Sequence, residues 1–214
     1  MVRLEALGLV LARAAGIETV ASRLLTVLNK DVLLIKRFDC EVARVQRRHF
    51  FSTLTALELD EMEARYASYA DLADYLRRYA EAPAEQCRTL FRRMMFNIMI
   101  GNTDDHARNH ALFWDGRFVR LTPAYDICVM PRIGFEASQA MEIGAQGKRA
   151  TLGNALSVCG RFGLSENEAT EIADEIESAI REHWQAGCAE AKISDQLANQ
   201  LWERVVLSPA IKQS

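Results

Sequence analysis

The sequence lacks a long apolar segment, paired cysteine spacing and a strong charge of one sign. No apolar run approaches the roughly 18 residues of a membrane-spanning helix, and the apolar stretch from Ala6 to Ala15 is interrupted by Arg13. The N-terminus has no signal-peptide pattern. Five scattered cysteines argue against a disulfide framework and a zinc site, and a net charge of −3 offers no general attraction to nucleic acid. We expect a globular cytoplasmic protein with no membrane contact and no direct nucleic-acid partner.

Glycine is missing where a phosphate-binding loop would need it. None of the 11 glycines belongs to a Gly-rich phosphate loop, and no strand with an apolar-apolar-Lys signature precedes Glu5. Lys36 lies in an apolar strand, but it follows the predicted helix of Glu5 instead of preceding it. We therefore interpret Lys36 as a residue whose backbone matters.

Hydrophobic periodicity and turn residues outline the elements. A Ser165 N-cap followed by Glu166 and Glu168 indicates the start of one helix, and Asp115-Gly116 between two short apolar stretches indicates a hairpin. The sequence predicts mainly helical α+β structure: helices at 3–15 (stopped by Gly16), 83–100, 165–186 and 192–206, mixed helix and loop at 52–80, strands at 22–28 and 31–38 turned at Asn29-Lys30, and a hairpin of Ala111–Trp114 with Phe118–Leu121.

The polar segment that follows the helix at 83–100 carries the chemistry. Asp104 and Asn109 are five residues apart, the offset at which a kinase catalytic loop places the acceptor of the hydroxyl proton and a magnesium-binding amide. Asp126, after the hairpin, matches the second metal ligand. The alternative is an Asn/Asp-rich turn that caps a helix. A metal-binding or phosphatase site of Asp104, Asp105, Asp126 and His106 is a weaker alternative.

Several segments together resemble the HipA family of serine/threonine kinases, whose toxin members belong to bacterial toxin–antitoxin pairs. The resemblance covers roughly residues 4 to 186 in the family's order. It rests on Asn102-Thr103-Asp104-Asp105-His106-Ala107-Arg108-Asn109, Leu121-Thr122-Pro123-Ala124-Tyr125-Asp126, Leu34-Ile35-Lys36-Arg37-Phe38-Asp39, Glu5 with Leu11-Ala12-Arg13-Ala14-Ala15-Gly16-Ile17, and Arg161-Phe162-Gly163-Leu164-Ser165.

The resemblance implies an ATP- and Mg²⁺-dependent site with assigned roles. The backbone of Lys36 and Phe38 would bind adenine, and Asp39 would lie near the ribose. Asn109 and Asp126 would hold magnesium. The catalytic residues would be Asp104, as the base, and Arg108, near the phosphates or fixing Asp104. His106 would be one of the cofactor-binding residues, and we expect its imidazole to hydrogen-bond the loop backbone.

The resemblance also implies an N-terminal part that has no counterpart here, because the family's kinases are about twice as long. Residues 1–40 would be the remnant of the N-terminal lobe with the hinge strand. Residues 41–214 would be the helical C-terminal lobe, with the catalytic loop at 101–109 and the metal-binding segment at 121–127. Glu5 would be the helix glutamate that pairs with the nucleotide lysine, or a solvent-exposed residue. The alternatives to an active kinase are a truncated, inactive remnant and one subunit of a split kinase.

Three partner classes follow from the resemblance. The protein substrate would be one such as an aminoacyl-tRNA synthetase, the toxin partner would be a DNA-binding antitoxin, and the missing lobe would come from a separate chain. From the residues themselves, Arg44, Arg47, Arg48 and His49 form a basic cluster. A solvated face explains it, and an acidic partner is the alternative.

Overall fold

The computed structural model describes residues 1–40, 47–132, 134 and 136–212, and its fold is α+β, about 48% helical, as predicted. The helices are α1 (Val2–Ala14), α2 (Thr53–Ala56), α3 (Tyr69–Tyr79), α4 (Pro83–Ile100), α5 (Leu152–Leu156), α6 (Glu166–Glu190) and α7 (Asp195–Arg204). The strands are β1 (Ser22–Val27), β2 (Lys30–Ile35), β3 (His49–Ser52), β4 (Ala111–Trp114) and β5 (Val119–Leu121). Short 3-10 helices lie at Ala64–Tyr66, Cys159–Phe162 and Pro209–Lys212.

Helix α1 packs into the main core, against α6 and the segment around residue 127. Leu7, Leu9 and Leu11 are fully buried. A Cβ added to Gly8 would lie 2.2 Å from the carbonyl oxygen of Ile127, so only glycine permits this close approach. Helix α1 therefore contacts the chain segment that contains Asp126.

The first hairpin has two strands near the predicted positions, but the second strand spans Lys30–Ile35 instead of 31–38, so Lys36 follows it, and the turn differs. In the antiparallel register Ser22 pairs with Ile35 and Val27 pairs with Lys30, so the two turn residues are Leu28 and Asn29, at φ 48° and 61°. The predicted turn at Asn29-Lys30 is wrong by one residue. Positive φ at both central positions matches the right-handed twist of a tight hairpin, and leucine is a poor signal for that conformation.

The second sheet contains one strand that the sequence pattern did not reveal. Strand β3 pairs antiparallel with β4, and β4 pairs with β5, which confirms the predicted hairpin. Its Asp115 carboxylate accepts the backbone N–H groups of Arg117 and Phe118, at 2.8 and 2.7 Å. Strand β3 has only four residues, too few for a clear period-2 pattern.

The long helices lie close to their predicted bounds. Helix α4 ends at Gly101 with φ 70°, and α6 starts with a complete capping box of Ser165 and Glu168. Helix α6 runs to Glu190, four residues beyond the predicted end, and α7 starts at Asp195 instead of 192. Lys192, at φ 55°, interrupts the helical backbone between them.

Two predictions concern parts that the structure does not describe or test. Arg44 lies outside the described residues, and the division at residue 40 borders the same gap, so the division stays a prediction.

None of the described helices is long and apolar enough to cross a bilayer.

We expect Gly8→Ala to destabilise the protein. The new methyl group would overlap the Ile127 carbonyl, and overpacking costs about 1–3 kcal/mol, more than the roughly 1 kcal/mol that alanine gains in a helix. Urea unfolding should show a net loss of about 1–2 kcal/mol. The control is Gly160→Ala, whose Cβ would meet no atom within 4 Å. If both variants are equally stable, the close contact between α1 and residue 127 is wrong.

Candidate active site

The loop of residues 101–109 places Asp104 and Asn109 side by side. The Asn109 side-chain Nδ2 donates to the Asp104 carbonyl oxygen at 3.1 Å, and the Asn109 N–H donates to the His106 carbonyl at 2.8 Å. Asp104 is exposed, whereas Asn109 is buried. Because Nδ2 is used within the loop, the amide oxygen of Asn109 remains as an acceptor.

A buried carboxylate anchors this loop. Asp105 is 2% exposed and accepts from Asn97 Nδ2 at 2.6 Å, from the Tyr69 hydroxyl, and from His110 Nε2 at 3.1 Å. Asn97 also accepts from Asn102 Nδ2 at 3.1 Å. The network joins α3, α4 and the residue that precedes β4, so the loop is fixed at its centre.

The Asp105 carboxyl stays ionised despite its burial. Burial alone would raise its pKa, but the His110 ring and the donors His110, Tyr69 and Asn97 outweigh this effect, so the pKa lies below its ordinary value. The pKa of the Tyr69 hydroxyl is raised instead, because burial and the Asp105 charge both disfavour its ionised form. We therefore assign Asp105 an ionised structural role, in contrast to exposed Asp104.

Tyr125 connects the segment 121–127 to the loop and to the hinge. Its hydroxyl donates to the Arg108 carbonyl at 2.6 Å, and its ring stacks on Phe38 with centroids 5.6 Å apart. Burial raises the Tyr125 pKa to about 12, so the hydroxyl keeps its proton for this bond. The next residue, Asp126, has φ 56°, a left-handed conformation that is uncommon for aspartate and accumulates at functional sites.

Asp126 and Glu5 border one open cavity beneath the hinge. Its volume is about 410 Å³, and it is also lined by Lys36, Phe38 and Asp39, a size usual for small-molecule sites. Burial and the charge of Asp126 both raise the pKa of Glu5. Glu5 is half-buried and borders the same cavity as Asp126, which excludes the solvent-exposed alternative.

Carboxylates from α1, from the loop of residues 101–109 and from the segment 121–127 all act on one thiol. Burial raises the pKa of the Cys128 thiol to about 11, and the charges of Glu5, Asp126 and Asp104 add to this effect. Three carboxylates therefore lie close enough to one buried thiol to influence it. A site with this charge favours a cation.

The backbone groups of the hinge differ in whether they form a backbone hydrogen bond. The Lys36 N–H donates to the Ala21 carbonyl at 2.8 Å, whereas the Lys36 carbonyl and the Phe38 N–H form no backbone hydrogen bond within the described residues. Asp39 is buried, and its two oxygens accept from Arg37 at 2.9 and 2.7 Å. The Arg37 bonds lower the Asp39 pKa, which keeps its acceptors charged.

His106 and Arg108 differ from what the sequence predicted. The Nδ1 atom of His106 is buried and has no hydrogen-bond partner among the described residues, so this nitrogen does not form the bond to the loop backbone that was expected of the imidazole. The Arg108 guanidinium is paired with Glu61. Their predicted roles towards a nucleotide remain predictions.

The predicted ligands Asn109 and Asp126 offer oxygen atoms, which suit magnesium, a metal that binds one or two carboxylates together with substrate phosphates. Asn109 borders a small neighbouring cavity, Asp126 borders the larger one, and Tyr125 borders both. Among the described residues, no group of three or more His, Cys, Asp and Glu side chains could hold a metal alone. Magnesium binding by Asn109 and Asp126 stays a prediction.

Two buried residues of α4 position the site and were not predicted. Asn97 donates to Asp105, and Arg93 donates from Nη2 to the Thr122 carbonyl at 2.6 Å, which holds the start of the segment 121–127. Burial lowers the Arg93 pKa to about 10. A signal was present in the sequence, since Arg93 and Asn97, together with Arg92, interrupt the otherwise apolar stretch from Leu90 to Ile100.

Comparison with known proteins agrees with this geometry. The HipA-like C-terminal domain family matches residues 1–184. The chain belongs to this family. It is 27% identical over 160 residues to "Putative kinase Y4mE" and 32% identical over 175 residues to "Putative kinase Y4dM", both of Sinorhizobium fredii. These matches cover 69% and 74% of this chain but only 36% and 39% of the relatives.

Solved structures confirm the fold. The HipA chain of the Shewanella oneidensis MR-1 toxin–antitoxin complex of HipA, HipB and operator DNA superimposes with a TM-score of 0.77 at 19% identity, over 94% of this chain and 53% of that one. The Helicobacter pylori proinflammatory kinase CtkA has a TM-score of 0.55 at 13% identity, over 88% of this chain and 83% of that one. The predicted HipA-like, kinase-related fold is therefore confirmed.

We expect Asp105→Asn to destabilise the protein by about 3 kcal/mol, because it removes a buried charge from three donors. Asp104→Asn is the matched control: it is exposed and should change stability by less than about 0.5 kcal/mol. Urea unfolding at neutral pH measures both.

The pH dependence of the stability distinguishes the contribution of the Asp105 charge from that of packing. A lowered pKa in the folded state contributes stability above the unfolded-state pKa of about 3.9, and that stability is lost as the pH falls through the folded-state value. The gap between wild type and Asp105→Asn should therefore narrow below about pH 4. A gap that is constant with pH would contradict an ionised Asp105.

Proposed function

We propose that this chain is the C-terminal part of a HipA-like serine/threonine protein kinase, which transfers phosphate from ATP to a protein hydroxyl. One observation carries the proposal: Asp126 shares a cavity with the hinge residues Lys36, Phe38 and Asp39, and Tyr125 ties that segment to the loop of Asp104. These contacts support one connected site for nucleotide, metal and acceptor hydroxyl.

The hinge groups supply the nucleotide contacts. The Lys36 carbonyl can accept from the exocyclic amine of adenine, and the Phe38 N–H can donate to the ring. Asp39 is held by Arg37, and each of its oxygens retains a lone pair for a ribose hydroxyl. Phe38 and Tyr125 supply apolar contact to the base.

Asn109 and Asp126 would hold magnesium through oxygen ligands. When bound, the metal neutralises the charge that develops on the phosphates. Asp104 is exposed and beside Asn109, where it can accept the proton of a serine or threonine hydroxyl. In this arrangement most of the rate enhancement comes from positioning and electrostatics.

The groups that cover the phosphates would come from outside this chain. The chain spans 36% and 39% of the curated relatives that it matches. The β1–β2 hairpin exposes several apolar side chains against which an additional lobe could pack. They are Val27, Leu28, Val32, Leu34 and Ile35. We propose that a Gly-rich loop and a lysine from an N-terminal extension or a separate chain complete the kinase.

The partners follow from the same proposal. The Shewanella HipA structure contains HipB and operator DNA, which supports a DNA-binding antitoxin as a partner here. An aminoacyl-tRNA synthetase is the substrate class that the family resemblance favours. Phosphorylation of an antitoxin or of an aminoacyl-tRNA synthetase would be measured with the complete kinase.

We expect weak Mg-ATP binding by this chain that depends on Asp126. Asp126→Ala should weaken the binding about tenfold or more, because the phosphates lose a metal ligand. Titration calorimetry with magnesium, with EDTA and with the variant measures this, and exposed Glu182→Ala is the control. Equal affinities in all conditions would show that the metal role is wrong.

We expect phosphoryl transfer only when the missing lobe is supplied. Addition of the N-terminal region, fused or as a separate chain, should allow radiolabelled ATP to modify serine or threonine residues in a lysate. Asp104→Ala should reduce this rate by about 10² to 10⁴, the usual contribution of a general base.

The outcomes distinguish the alternatives. Strong transfer by the 214-residue chain alone would show that no further lobe is needed. Transfer that survives Asp104→Ala would identify another base. Nucleotide binding without transfer in the completed form would favour an inactive remnant.

A further inference from the structure

Phe50 borders the cavity of Asp126, but the nucleotide site proposed above gives it no role. It lies on β3, the strand that the sequence pattern did not reveal. Its side chain is 41% exposed, more than that of any other phenylalanine that the structure describes. An exposed ring at the wall of a cavity is available to a ligand.

The ring of Phe50 is held in position by its neighbours. It contacts Phe38 edge to face, with centroids 5.0 Å apart, and Phe38 in turn stacks on Tyr125. The backbone of Phe50 pairs with Phe113 in the antiparallel register of β3 and β4. A ring that is already placed by a paired strand and by a second ring loses little freedom when a ligand binds, so its contact with the ligand costs less entropy.

The cavity is lined by apolar side chains from both sheets. Val20 precedes β1 and Ile35 ends β2, whereas Phe50 belongs to the second sheet, and all three border the same space. A flat, uncharged ring in this space would meet apolar side chains from both sheets, and its burial is favourable in proportion to the area covered. Nucleobases are rings of this kind.

We propose that Phe50 contacts the face of the nucleobase and makes the site prefer purine over pyrimidine nucleosides. This inference rests on the proposed nucleotide site and adds the residue that selects the class of base. Lys36 and Phe38 of the hinge contact the edge of the base through their backbone groups, whereas Phe50 contacts its face. The stacking gain grows with the area of contact, and a purine offers two fused rings where a pyrimidine offers one.

Ligand-observed NMR with the full chain tests the proposal without phosphate or metal. The probes are adenosine and uridine, each titrated in the presence of EDTA. We expect adenosine to bind about fivefold or more tightly than uridine. Phe50→Ala should weaken adenosine binding about fivefold or more, the lower end of what a base loses with its aromatic partner. Uridine binding should fall less, so the preference for adenosine should shrink.

The control is Trp114→Ala. Trp114 is 49% exposed and pairs with His49 in the same sheet, but it is not part of the lining of the Asp126 cavity. It should leave both affinities unchanged. Phe50→Trp keeps an aromatic face and should keep the preference for adenosine, whereas Phe50→Leu keeps an apolar side chain without that face and should lose most of the preference. Thermal melting shows which variants fold, and Phe50→Leu provides the test if Phe50→Ala does not.

The opposite results overturn the proposal. If the wild-type chain binds adenosine and uridine equally, or binds neither, the cavity does not select a purine. If the Phe50 variants and Trp114→Ala behave alike, Phe50 does not contact the base. A loss of preference in Phe50→Trp as large as in Phe50→Leu would show that stacking is not the cause.

These outcomes are separate from those of the kinase proposal. Adenosine brings neither phosphate nor metal, so failure of the metal role of Asp126 or of the base role of Asp104 leaves the nucleoside results unaffected. Conversely, Mg-ATP could bind through its phosphates while adenosine does not bind. That pattern would overturn the role of Phe50 and leave the metal role standing.

Discussion

The site depends on the burial of the Asp105 carboxylate. An isolated charge at this depth would be strongly unfavourable, so the fold must supply donors from separate elements at the same point. Tyr69 from α3, Asn97 from α4 and His110 before β4 do so. Once these bonds form, the loop between Gly101 and His110 has little freedom. Asp104 can therefore remain exposed and still be positioned, because its neighbour cannot move.

The opposite electrostatic situation holds at the cavity of Asp126, where Glu5 and Asp126 interact unfavourably. Burial and Asp126 raise the pKa of Glu5, so its ionised form opposes folding. That penalty is absent at low pH and develops as the pH rises through the raised pKa. Asp126 adds an unfavourable backbone conformation at φ 56°. A core that buries α1 must offset both costs, and a bound cation would relieve the repulsion.

Local sequence signals predicted the elements that have strong local causes. The Ser165 capping box, the Asp115-Gly116 hairpin and the apolar helix 83–100 all lie where expected. Strand β3 was missed because it gains its stability from pairing with β4, which the local pattern does not encode. The spacing of Asp104 and Asn109 predicted their adjacency. It could not predict that Asp105 would be buried, because tertiary partners alone determine that.

Phe38 is where these separate constraints meet. It stacks on Tyr125, and its edge-to-face contacts with Phe50 and Phe113 join it to β3 and β4. The hinge backbone of Phe38 is therefore positioned by the sheet that contains β3 and β4. Since Tyr125 in turn donates to the Arg108 carbonyl, a continuous set of packed rings runs from Phe113 to the loop of residues 101–109. Packed interiors transmit small displacements because they contain few voids, so we expect a displacement at one end of this set to shift the other.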